Sequence, residues 1–143
     1  MKSLLLLLLV ANVQDCFAGE KKECDFSNSA LEKEVSRSSN WELVPGGHWK
    51  KIGTLRPANG ELCAYHYSAI VGTGKHGIDR LVILLRGGRY VGSYRITLPK
   101  SIDVYGNTLR IQSDGGRVDT IGFPSEALPD TIFVDGEEIP VTP

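Results

Sequence analysis

Several familiar kinds of chemistry are missing from this sequence. It holds three cysteines in 143 residues, and no two are spaced as Cys-x-x-Cys. That excludes a zinc ribbon and thioredoxin-type redox chemistry. The three histidines, His48, His66 and His76, form no HxH or HExxH pattern, so no metal motif is present and no metal is expected. No serine elbow exists, because "VGSYR" has Gly92 before Ser93 but lacks the second glycine that GxSxG requires. "GTGKHG" (residues 72–77) has Gly-Lys without Walker spacing and reads as a flexible loop. "SDGGR" and "VDGEE" share only Asp-Gly with calcium loops, so both read as turns. No cofactor is expected.

Charge of either sign is not in excess, and the formal net charge is −1. A polybasic nucleic-acid binder and an acidic tail protein are both excluded on that balance. Tyr65, Tyr67, Tyr90 and Tyr94 could supply a base-stacking platform. In a near-neutral chain they suit a core instead.

The N-terminus is informative. Lys2 precedes an apolar run, Leu4 to Val10, too short for the roughly 20 residues that span a bilayer. Cys16-Phe17-Ala18 ends in a small residue. Charge, apolar core and small-residue exit together are the layout of a cleaved secretory signal peptide, expected over residues 1–18. Residues 19–143 are then expected to form one antiparallel β domain, secreted or periplasmic, with no membrane span after cleavage. Cys24 and Cys63 remain, an even number in an oxidising compartment, and are expected to pair. Such a bridge closes a loop of about 40 residues, worth roughly 4 kcal/mol in the chain-entropy account.

One segment has helical character. Ser27 or Ser29 can cap it, Glu32 follows Ser29 at capping-box spacing, Ala30, Leu31 and Val35 recur with helical period, and Ser38-Ser39-Asn40 ends it. From Trp49 onward, short apolar or alternating runs are separated by turn residues every 8 to 12 residues or so. "LCAYHYSAIV" alternates, with Cys63, Tyr65, Tyr67, Ala69 and Val71 on one face. Closing Gly106-Asn107 as a two-residue turn pairs Val104 with Leu109, Ile102 with Ile111 and Asp103 with Arg110, so apolar meets apolar and acid meets base. The expected fold is mainly β: an antiparallel sandwich or partly closed barrel with one short N-terminal helix.

The same operation at Gly87-Gly88 gives a less comfortable result. It pairs Arg86 with Arg89 and Arg80 with Arg95, and it places all four arginines on one face around Val82, Leu84 and Val91. The other face collects Leu81, Ile83, Leu85, Tyr90 and Tyr94, with Gly92 leaving room for an aromatic ring. Directly opposed like charges are destabilising. Either acids such as Glu61, Asp103, Asp119 or Glu126 neutralise them within the domain, or the face meets a partner. Arg80, Arg86, Arg89 and Arg95 are therefore the candidate binding residues. The expected function is a non-catalytic binding protein, of inhibitor or immunity type, acting on another extracytoplasmic protein. The alternative is a small secreted hydrolase using histidine acid–base chemistry, which would require the histidines to converge in one cleft.

Overall fold

The computed structural model describes residues 24–73 and 76–143. The expected signal peptide lies outside the described residues. The fold is mainly β, built from two antiparallel sheets and, among the described residues, one short helix, with no closed barrel. Helix α1 (Asn28–Ser38) starts where the Ser27 hydroxyl accepts from the Ala30 N–H, and ends where the Ser39 N–H donates to the Val35 carbonyl. Leu31 and Val35 are its buried residues, whereas Ala30 is exposed. No helix among the described residues is long and apolar enough to cross a membrane.

Nine strands follow among the described residues. They are β1 (His48–Leu55), β2 (Leu62–Val71), β3 (His76–Leu85), β4 (Tyr90–Ile96), β5 (Ser101–Tyr105), β6 (Thr108–Gln112), β7 (Val118–Gly122), β8 (Thr131–Val134) and β9 (Glu137–Thr142). The large sheet has the order β1-β2-β3-β4-β9-β8, and β5-β6-β7 form the small one. Strand β3 begins at His76, so it takes in the end of the stretch expected to be loop.

The alternation of β2 explains the layering. Leu62 and Ala64 point to one side, where they meet Leu81, Ile83 and Tyr94 of the large sheet and Leu109, Ile111 and Ile121 of the small sheet. Cys63, Tyr65, Tyr67 and Ala69 point to the other side, where α1 brings Leu31 and Val35 and the following segment brings Trp41. The large sheet is thus buried on both faces. Its central strands therefore read as nearly continuous apolar runs, as in "LVILL" (residues 81–85).

The tyrosines add polar ends to this packing. On the helix side, the Tyr65 hydroxyl donates to the Cys24 carbonyl and accepts from the Phe26 N–H at 3.2 Å. The Tyr67 hydroxyl accepts from the Val44 N–H at 2.8 Å and donates to the Val44 carbonyl at 3.1 Å. Each ring buries its body in the sheet and ties down a loop with its tip. Beside them the Cys24–Cys63 disulfide joins the segment before α1 to β2, with both residues buried.

The β5–β6 hairpin has the register expected from its turn: Ile102, Asp103 and Val104 face Ile111, Arg110 and Leu109. The β3–β4 hairpin departs from its expected register. Arg80, Leu81, Val82 and Ile83 face Arg95, Tyr94, Ser93 and Gly92 as expected, but Leu84 faces Tyr90. The turn contains three residues, Arg86 to Gly88: Leu85 accepts from the Gly88 N–H, donates to the Arg89 carbonyl, and Gly88 has φ +94°. The extra residue is absorbed by a bulge at Val91. Tyr90 is thereby moved to the helix side, beside Val82 and Leu84. The space beside Gly92 is filled by Leu128 and Val141, not by an aromatic ring.

Candidate functional site

The bulge also divides the four arginines. Arg80 and Arg95 remain directly opposite each other on the helix side of the sheet. Arg86 lies in the turn, with Nε 3.7 Å from Glu61 Oε2, so the within-domain acid expected among the candidates meets this arginine. Arg89 is paired through its carbonyl with Leu85, in the opposite phase to Tyr90. A single four-arginine face does not form. The apolar strip of Val82 and Leu84 is covered by α1 and Trp41.

Arg80 is built into its place. Its guanidinium carbon lies 4.6 Å from the Trp41 ring centroid. Its Nη1 lies 3.4 Å from Ser93 Oγ, and Ser93 is fully buried. Ser93 Oγ is in turn 3.2 Å from the Tyr90 hydroxyl, which accepts from Trp41 Nε1 at 3.0 Å and lies 2.8 Å from the Thr142 carbonyl. Burial lowers the pKa of Arg80, and the neighbouring Arg95 charge lowers it further. Among the described residues, neither arginine has a carboxylate at ion-pair distance. Two cations held side by side without a counter-charge raise the affinity of that spot for an anionic group.

The pair lines a surface groove of about 930 Å³. The groove exists because β9 serves two neighbours. Its residues Glu137 to Pro140 pair with β8, and only Val141 and Thr142 pair with β4, opposite Tyr94 and Ser93. Beyond Tyr94 the two strands part. Arg80, Arg95 and Thr97 line one side of this wedge, with Glu137 and Glu138 at its open end. Ile70 and Leu98, both lining the groove, are 70% and 60% exposed.

The histidines do not gather there. His66 Nε2 bonds Asp79 Oδ1 at 2.8 Å, on the face of the sheet opposite the arginines. His48 lies across from Ser68, and His76 across from Val71 at the far end of β2. No group of three or more His, Cys, Asp or Glu residues among those described could hold a metal ion.

The sequence reasoning missed Trp41, Ile70, Leu98 and the Glu137-Glu138 pair. Trp41 follows the helix with no local signal of its destination. The glutamates reach the site only because the last strand inserts between β4 and β8, a pairing that no local pattern encodes. Comparison with protein-family models, curated proteins and solved structures finds no match to this chain.

Proposed function

We propose that this chain is a secreted or periplasmic non-catalytic binding protein, of inhibitor or immunity type, that engages another extracytoplasmic protein through the groove beside Arg80 and Arg95. The observation that carries this reading is the arginine pair itself. Arg80 is fixed by Trp41 and Ser93, Arg95 stands opposite it, and among the described residues neither has a carboxylate at ion-pair distance. Directly opposed like charges cost stability, and a partner's carboxylate would offset that cost. The Cys24–Cys63 disulfide supports an oxidising compartment.

The histidine hydrolase is the weaker reading. Its support is the His66–Asp79 pair, yet Asp79 is the one side chain among the described residues that hydrogen-bonds that imidazole. A nucleophile or second acid would have to come from elsewhere.

Affinity capture from periplasmic or culture extract tests the proposal, with the wild-type protein and Arg95→Glu as parallel baits. A partner retained by the wild type and lost by the variant, with association slowing as salt rises, is the expected result. Equal capture by both baits would refute the assignment of this groove.

A further inference from the structure

We infer that the parted edge of β4 receives an extended polypeptide segment as an added strand, with acidic and apolar side chains in alternation. This rests on the proposed role of the groove and goes further by naming the mode of binding.

The argument starts from the backbone. In an antiparallel sheet, alternate residues of a strand direct N–H and C=O groups to each of its two neighbours. The inner neighbour of β4 is β3, paired as far as Asp79 with Ile96. Its outer neighbour β9 is paired only at Ser93 and Tyr94. From Arg95 to Leu98, up to Pro99, the outer edge of the chain has no strand beside it among the described residues. Such an edge pairs readily with another chain unless it is blocked. The facing wall is the poorer template: Val141 sends its N–H to the Asp130 carbonyl on the β8 side, so the residue before it, Pro140, is turned toward the wedge and has no N–H to offer. Strand β4 is thus the better side for a ladder.

The side chains then specify the pattern. Cross-strand partners share a face, so Arg80 and Arg95 lie on the helix side, while Asp79 and Ile96 lie on the other side, followed there by Leu98 in strand alternation. A strand laid against β4 would direct every second side chain toward the arginines, Arg95 first and Arg80 behind it, and the intervening ones toward Ile96 and exposed Leu98. Acidic residues suit the first set and apolar residues the second. Near the mouth, Glu137 and Glu138 favour a basic residue at that end of the segment. The occupant is therefore a protein segment carrying both charges and an apolar stripe, not a simple anion.

The test uses the purified exported protein and a panel of capped hexapeptides. Each peptide alternates Glu with Val and ends in Lys at either terminus. Control peptides have the same composition with the glutamates adjacent. Tryptophan fluorescence reports occupancy, because Trp41 stacks on Arg80. Three results are expected: preferential binding of the alternating peptides, loss of that binding in Arg95→Glu, and about tenfold weakening when one ladder amide of the peptide is N-methylated, the equivalent of one lost backbone hydrogen bond. If Arg95→Glu abolishes binding while N-methylation at every position has no effect, the groove stands and strand addition is overturned. If alternating and control peptides bind equally, the alternation is overturned. If no peptide binds, the strand mode fails, and capture of a partner by the wild type but not by Arg95→Glu would leave the groove reading intact.

Discussion

Arg80 rests on the face of Trp41 at 4.6 Å, while Arg95, directly opposite on the neighbouring strand, is exposed and meets no acid among the described residues. The two arginines therefore have different consequences for stability. Arg80→Ala removes a cation–π contact and a half-buried stem, and should cost about 1–2 kcal/mol in urea unfolding. Arg95→Gln removes only a repulsive neighbour, so stability should stay within about 0.5 kcal/mol of the wild type or rise slightly. Equal destabilisation by both would mean that Arg95 has an internal partner.

Arg86 and Arg89 separate from that pair. Arg86 meets Glu61 at 3.7 Å, and Arg56 reaches the other Glu61 oxygen at 3.9 Å. Both arginines are exposed and the Glu61 carboxylate between them is part-buried, and at these separations each pair is worth about 0–1 kcal/mol. The double variant Arg86→Gln, Arg89→Gln should lower stability by less than about 1 kcal/mol and leave partner association unchanged. A large fall in association rate would return these two residues to the binding face.

How much of this could be read from the chain depends on how local the determinants were. The β5–β6 register was legible because Gly106-Asn107 and the Asp103–Arg110 pairing agree on one alignment. The face of β2 that carries Cys63, Tyr65 and Tyr67 was legible from alternation alone. The β3–β4 hairpin was half legible. Two adjacent glycines permit either a two-residue turn or a three-residue turn with Gly88 at positive φ, and only the packing of Tyr90 under α1 selects the second. Arg80 and Arg95 were thus correctly opposed, and Arg86 and Arg89 were not. The wedge was not legible at all, since it depends on β9 dividing its pairing between β4 and β8.

The disulfide leads to a direct chemical expectation. Cys24 and Cys63 are both buried, and Tyr65 binds the Cys24 carbonyl beside them. Alkylation of the native oxidised protein should label neither residue. Cys63→Ser should cost about 2–5 kcal/mol, because the segment before α1 loses its tether. Two readily alkylated thiols in protein freshly purified without reductant would contradict the bridge.

Gly92 is a packing position. A Cβ there would lie 2.9 Å from Leu128 Cδ1 and 3.0 Å from Val141 Cγ2, both in the layer between the sheets. Gly92→Ala should therefore destabilise by about 1–3 kcal/mol through overpacking. Adding Leu128→Ala should recover part of that loss, seen as a double-mutant coupling in chemical unfolding. Strictly additive costs would show that the added methyl meets something else.

Tyr94 makes stability depend on alkaline pH. It is fully buried, and its hydroxyl donates to the Pro129 carbonyl at 2.5 Å. Burial, with a smaller contribution from Asp130, pushes its pKa well above the ordinary phenol value. In the unfolded chain the same phenol ionises near its usual value of about 10. The folded protein thus keeps a proton that the unfolded chain has already released. The corresponding stability is complete below about pH 10 and is lost as pH rises from there toward the folded pKa. Tyr65, also raised mainly by burial, acts in the same direction. Tyr94→Phe should begin about 1 kcal/mol lower at neutral pH, having lost one hydrogen bond, and should then decline less steeply with alkali. Urea unfolding of both proteins between about pH 8 and pH 11 measures the two slopes. Identical slopes would assign the alkaline transition to another group.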